Sequence, residues 1–447
     1  MGIEDMLGHG LTDTQHLITA TSSQRNVWFT DTRDIILSRF PIADDFLQYI
    51  SSIIGFDLKS VSIITPLAEI GGPPALIDDF LLLPNIILEL EKIIDRTLSW
   101  TIFPCFFTRG VAELASRLGL NHSIGFQFAL ENGIELLNRK THFRQLAVGT
   151  SLPLSDGSIV HSMKLLKKAI KQLIPHTGIV IIKRDNGAAS MGNITITTKN
   201  VIPLPGSRET RSASEDLETM SSEIWDQLTD RWNQVLVVES YQNATERFYL
   251  EYVIEEDGTF ICLNSGDILL REDPDPRSKQ LFWMGLQIPA TISPFFLAEA
   301  ITIANRFVTL ASKMGYRGLL NIDAILTEKN ELIFNEVNAR WGGCSVMHCI
   351  GERLLGNQLM KNYILSSRRE VGFPSFQKTL YILKENGLEF DRHSKQGIIV
   401  LASGNFADSI SEFLLIGESA AKISEMELAL FNVFNNYKKK PSNYAKE

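Results

Sequence analysis

A chain of 447 residues, 44% apolar and 21% charged, is long enough for about three domains and needs no disulfide staples to bury a core. Its 43 basic and 52 acidic residues leave a net charge of −9, which argues against a nucleic-acid backbone as partner. Four cysteines without a CxxC pair (Cys105, Cys262, Cys344, Cys349) argue against a disulfide framework or zinc ribbon, and no uncharged apolar stretch of about 18 residues suggests a membrane span. The opening Met-Gly-Ile-Glu-Asp shows neither a secretory n-region nor a myristoylation Ser/Thr, so a soluble, cytoplasmic protein is expected.

The first third reads as an α/β layer. Asn26–Thr30, Val61–Thr65 and Thr101–Phe107 are short apolar runs of the kind that form strands, and Gly110–Leu118 has helical spacing. Asp156-Gly157-Ser158 reads as the opening of an amphipathic helix through Leu173 that Pro175 ends. Gly178–Ile182 is a continuous apolar strand leading into Lys183 and the small-residue stretch Gly187–Gly192. Pro203 to Glu223 reads as a surface loop with room for a short helix, Val235–Val238 as a buried strand, and Phe248–Ile254 with Thr259–Leu263 as a hairpin. Phe295–Met314 has helical periodicity, and Thr379–Leu383 and Gly397–Ser403 read as two further strands.

The strongest chemical signal is a second hairpin, Leu319–Leu326 with Glu331–Asn338. If Lys329 and Asn330 form a two-residue loop, Asp323 faces Glu336 and Asn321 faces Asn338. The two carboxylate Cβ atoms would then lie about 5 Å apart. Like charges so placed need a neutralising partner; Mg²⁺ accepts one or two carboxylates and completes its shell with water and phosphate. The bland alternative is a solvated polar face. Arg340 follows on the same side, near any phosphate held there.

Lys183 with Gly187, Ser190 and Gly192 offers an ammonium and an approachable backbone to phosphate oxygens, although such turns are also ordinary hairpins. Glu239, followed by Ser240, Tyr241 and Glu246, is a carboxylate at a strand exit that suits a purine edge and ribose hydroxyls; two surface glutamates are the other reading. Cys344, His348 and Cys349 make a poor zinc set, because adjacent His348 and Cys349 do not share a tetrahedron easily with Cys344.

Taken in order, these pieces resemble the ATP-grasp superfamily of carboxylate–amine ligases over roughly residues 138–365. Asn138-Arg139-Lys140 matches the family's first phosphate lysine and Lys183 its second, before the glycine loop. Asp323, Glu336 and Asn338 match its Asp … Glu-x-Asn metal motif, with Arg340 extending it. The layout is most similar to peptide ligases related to that of pheganomycin biosynthesis. The resemblance implies α/β and α+β architecture: an α/β pre-ATP-grasp domain (1–125), an ATP-grasp domain (126–370, lid about 176–238) whose two subdomains grip ATP, and a C-terminal segment (371–447) packing on the grasp core.

It further implies ATP as co-substrate and two Mg²⁺ (or Mn²⁺) ions on Asp323, Glu336 and Asn338. ATP would be held by Lys140, Lys183, Gly187, Ser190, Gly192, Glu239, Ser240, Tyr241 and Glu246. Arg340 would serve the transferred phosphate, because Asn321 stands where some branches place an arginine. Arg271 is weighed evenly as a second such cation or a surface arginine. The implied reaction joins a small-molecule carboxylate to an amine of an amino acid or peptide through an acyl phosphate, with a homodimer compatible. The alternatives are transfer to a carrier-protein thiol, a biotin-dependent carboxylase-like enzyme, and nucleotide binding without catalysis. Neutralising Glu336 is expected to spare the stability of the metal-free protein.

Overall fold

The computed structural model describes residues 24–38, 41–65, 78–186, 192–214, 216–231, 233–272, 281–356, 359–371, 374–403 and 410–439. The N-terminal layer holds one parallel strand pair, β1 (Ile35–Leu37) and β2 (Ser62–Ile64), around helix α1 (Asp44–Ile54). Two expected strands are absent there. Residues 24–29 form a 3-10 helix whose Trp28 is fully buried, its indole N–H bonded to Leu401 O at 3.0 Å. Thr101–Phe107 belongs to no sheet; Pro104 within it has no N–H to give a ladder. Helix α2 (Arg109–Arg117) follows as expected, capped by the Thr108 hydroxyl.

Helix α3 (Lys140–Gly149) leads into a five-stranded lobe. Its strands are β3 (Gly157–Val160), β4 (Ile179–Arg184), β5 (Asn193–Thr197), β6 (Glu209–Ser212) and β7 (Leu236–Ser240), in the order β3-β7-β4-β5-β6. The segment read as the start of a helix is therefore strand β3. Ser162 caps the helix proper, α4 (Met163–Thr177), which runs past Pro175 and ends at left-handed Gly178. In the stretch read as a loop with a short helix, the helix is the start of α5 (Leu217–Leu228), and the loop also contributes strand β6. Helices α4 and α5 bury Leu166, Ile170 and Ile224 against Val180, Ile182, Ile194 and Val238. Alternation along β4 sends Ile179, Ile181 and Lys183 to the other face, where Glu239 stands opposite Ile181.

Next come β8 (Ala244–Ile254), β9 (Phe260–Glu272), β10 (Leu281–Ile288), helix α6 (Pro294–Lys313), β11 (Gly318–Thr327) and β12 (Leu332–Asn338). Strands β12, β11, β8 and β9 are consecutive antiparallel neighbours. One face carries the buried Phe248, Leu250, Leu320 and Ile322. Helix α6 is long and apolar enough, by length and composition, to cross a membrane. It nonetheless carries Glu299 and Arg306, and Ala300, Ala304, Phe307, Val308 and Ala311 form a buried stripe at helical spacing.

Helix α7 (Gly343–Leu355), β13 (Ile364–Val371), helix α8 (Phe376–Glu385), β14 (Gly397–Ser403), β15 (Ile410–Gly417) and helix α9 (Ala420–Lys439) complete the chain. Thr379–Leu383, read as a strand, lies in α8, where Phe376, Thr379, Ile382 and Leu383 are buried at helical spacing. The chain divides into two compact units. One comprises described residues of Ala75–Trp283 and Ala290–Gly342; the other gathers those of Thr12–Pro74, Met284–Pro289 and Gly343–Glu447. The second unit thus combines N-terminal and C-terminal segments. Phe46 and Tyr49 meet Phe376 edge-on, with centroids 5.3 and 5.5 Å apart, and Arg25 pairs with Glu412 at 3.0 Å.

Candidate functional site

The paired carboxylates are aligned as the sequence indicates: Asp323 faces Glu336 and Asn321 faces Asn338. The route differs from the expected one. Leu326 pairs with Leu332 and the Thr327 amide donates to Glu331 O, leaving a three-residue loop with Asn330 at φ 60°. That register alone would set Asp323 against Asn335. A bulge between Asp323 and Ala324 leaves Asn335 as the extra residue and brings Glu336 back opposite Asp323. Pairing with β8 extends this face to Tyr249 and Glu251, and β9 adds Gly266 and Asn264.

Helix α3 supplies cations to the site. The Lys140 ammonium lies 3.1 Å from Glu336 Oε2, with the lysine side chain only 11% exposed. The start of α3 is fixed by Asp185, just beyond β4 and 1% exposed. Its carboxylate accepts from the Thr141 amide and hydroxyl at 2.9 and 2.7 Å and from Arg139 at 3.1 Å; its carbonyl accepts from the Lys140 amide. Asn138 ties the helix approach to the end of β12, its Oδ1 accepting from the Ala339 amide at 3.0 Å. Lys183 Nζ lies 2.6 Å from Glu239 Oε2, and Arg144, one turn along α3 from Lys140, donates to Glu239 Oε1 at 2.8 Å.

Asp323 is driven well above the ordinary carboxylate range by burial, then by the charge of Glu336 and their hydrogen bond; Arg340 and Lys140 oppose the rise. Glu336 is pushed up by burial, but Lys140, Lys183 and the Asp323 hydrogen bond hold it below its usual value. Burial and mutual repulsion thus favour the neutral form of Asp323, and the lysines favour the charged form of Glu336. The donor set fits a hard divalent cation: two carboxylates and a carboxamide on one face, with no soft ligand among them. Asn338 Oδ1 already accepts from Arg340 Nη2 at 2.9 Å, while its Nδ2 donates to Asn321 Oδ1 at 3.0 Å. A carboxamide oxygen has two lone pairs, so Asn338 Oδ1 can accept from Arg340 and also meet a cation. Arg340 is backed by the Phe106 ring, 5.3 Å from its Cζ.

Other predicted residues are placed differently. The amides of Ser240 and Tyr241 donate to Asp156 O and Ile179 O, at 2.8 and 2.9 Å, so neither N–H serves a base edge. Glu246 pairs with Leu326 on the sheet face opposite Asp323, and Arg247 takes the site face instead. Arg271 is near the end of β9, on the Asp267 side of the strand's alternation rather than the Gly266 side. Gly187 and Ser190 lie outside the described residues, and Gly192 closes the loop by accepting from the Arg184 amide at 2.7 Å. Three residues of the site were missed in the sequence: Arg144, Asp185 and the fully buried Glu251. Lys140 and Arg144 at i and i+4 were the available signal for a cationic helix face.

Residues 23–120 match the family model of the pre-ATP-grasp domain. No curated protein matches the sequence. Among solved structures, the biotin carboxylase domain of Hydrogenobacter thermophilus 2-oxoglutarate carboxylase, a dimer with MgADP, ADP and bicarbonate, is similar at TM-score 0.58. Its identity is 14%, over 90% of this chain and 90% of that one. N5-carboxyaminoimidazole synthetase from Staphylococcus aureus gives 0.54 and 14%, over 93% of this chain and 95% of that one. The Aspergillus clavatus synthase, in complex with ADP and 5-aminoimidazole ribonucleotide, gives 0.55 and 11%, over 90% and 99%. The fold is the ATP-grasp fold with a pre-ATP-grasp N-terminal domain.

Proposed function

We propose that this chain is an ATP-dependent ligase that activates a substrate carboxylate as an acyl phosphate and joins it to an amine of an amino acid or small peptide. The observation that carries this reading is the alignment of Asp323, Glu336 and Asn338 on one sheet face with Lys140 at 3.1 Å from Glu336. A carboxylate has only hydroxide or oxide to expel, so an amine does not displace it. In the proposed reaction a donor carboxylate oxygen bonds to the γ-phosphorus while the bond to the ADP oxygen breaks. The amine nitrogen then bonds to the acyl carbon, phosphate leaves, and the nitrogen loses its proton.

Positioning and charge neutralisation supply most of such a rate. Lys140 and Lys183 would hold the α- and β-phosphates, and Arg340, steadied by Asn338 and Phe106, would meet the transferred phosphoryl group. Mg²⁺ held by Asp323, Glu336 and Asn338 would supply neutralisation of phosphate charge. The peptide-ligase branch related to pheganomycin biosynthesis is our reading of the acceptor. The test is phosphate release from Mg·ATP against amino acids and small peptides, singly and in pairs, followed by hydroxylamine with the active acid alone. A hydroxamate formed with stoichiometric ADP supports the reading. ATP turnover independent of any carboxylic acid contradicts it.

A further inference from the structure

Glu239 is held between two cations, and their geometry differs. Lys183 meets Oε2 at 2.6 Å through one flexible ammonium. Arg144 meets Oε1 at 2.8 Å while its other terminal nitrogen donates to Ser155 O at 3.0 Å, so its guanidinium is fixed at two points. The Arg144 side chain is 13% exposed and those of Lys183 and Glu239 10% each. The backbone is cut to fit them: a Cβ on Gly157 would stand 2.8 Å from Glu239 Cγ and 3.0 Å from Arg144 Cζ.

Building on the ligase reading, in which Lys183 binds a phosphate, we propose that Arg144 is a positioning residue for the nucleotide: it keeps Glu239 paired when Lys183 leaves for that phosphate. A lysine that exchanges one anion for another gains only if the first is not stranded. A largely desolvated carboxylate without a partner is costly, whereas one still held by a guanidinium is not. Arg144 thereby makes the release of Lys183 cheap. The same helix face presents Lys140 to Glu336, so α3 serves both phosphate lysines. Glu239, with both oxygens engaged by cations, acts as the resting partner of Lys183 rather than as a reader of the base.

The experiment is calorimetric titration of Mg·ATP into the full chain, in four forms: wild type, Arg144→Met, Glu239→Gln and the double variant, each checked by its melting profile. Arg144→Met is expected to weaken ATP binding roughly 30-fold, the lower end of what truncating one partner of a buried charge pair costs. With Glu239→Gln present, the same substitution is expected to change binding by less than about threefold, because no charge is left to strand. Arg144→Lys, which keeps the charge, is expected to recover most of the loss and serves if Arg144→Met does not fold. An equal loss from Arg144→Met in both backgrounds overturns the inference while leaving the ligase reading in place. Wild-type protein that binds no nucleotide overturns both.

Discussion

At the scale of single residues, the two facing carboxylates are unequal. Lys140 favours the charged form of Glu336, whereas burial and the charge of Glu336 push Asp323 up. The expectation that neutralising Glu336 spares stability therefore passes to Asp323. Asp323→Asn replaces a buried carboxyl whose charged form is disfavoured and leaves the Lys140 pair whole. The metal-free variant should melt at or above the wild-type temperature, with a gain of at most about 1 kcal/mol, while ATP turnover falls by orders of magnitude. Glu336→Gln should melt lower, since it removes the opposite charge beside a lysine side chain that is only 11% exposed. Equal melting shifts for the two variants would contradict this assignment. His348 gives a separate test. Burial lowers its pKa below 6.5, outweighing Glu352, whose Oε1 is 3.3 Å from Nε2. A histidine with a depressed folded-state pKa contributes stability above its unfolded value and loses it as pH falls. The melting temperature of wild type should therefore drop more between pH ~7 and ~5 than that of His348→Gln.

At the scale of elements, close packing of β3 on β7 sets the Arg144–Glu239 geometry. A Cβ on Gly157 would also lie 2.6 Å from Val238 O, a backbone atom that cannot swing aside. Gly157→Ala should lower the melting temperature by several degrees and weaken ATP binding together, read by calorimetry on one preparation. Intact ATP affinity in a destabilised Gly157→Ala protein would detach this strand pair from the site. The carboxylate alignment was legible in the sequence only because two miscounts cancelled. The loop has three residues rather than two, and the bulge at Asn335 restores the register. Neither feature has a residue signature beyond Asn330, which tolerates its left-handed backbone. Asp323, Glu336, Asn338 and Arg340 stand out in the sequence through the spacing of one motif, Lys183 through the continuous apolar run before it, and Lys140 only through the Asn138-Arg139-Lys140 stretch. Glu246 was misplaced because strand alternation, invisible in spacing from Glu239, puts Arg247 on the site face. Asp185 and Arg144 escaped notice because their partners are distant in sequence: Asp185 binds residues 44–46 positions away, and Arg144 binds Glu239 across 95.

At the scale of the whole molecule, chain order and compact units diverge. Trp28, Phe46 and Tyr49 are packed with Leu401, Phe376 and Val400, so the N-terminal layer shares a core with residues beyond 371. Removing residues 371–447 should therefore abolish a cooperative melt of that unit and expose Trp28, a change that near-ultraviolet circular dichroism would register. A truncated chain with unchanged near-ultraviolet signal would show that the N-terminal layer holds its fold alone. In the proposed function, Lys140, Lys183, Arg340 and the Asp323–Glu336 pair serve phosphoryl transfer to a carboxylate. The most direct measurement uses a donor acid whose carboxylate carries heavy oxygen, with the products of Mg·ATP resolved by phosphorus NMR. The expected products are ADP and inorganic phosphate carrying one heavy oxygen. Heavy oxygen in AMP, with pyrophosphate released, would mean adenylation and would contradict the proposed function.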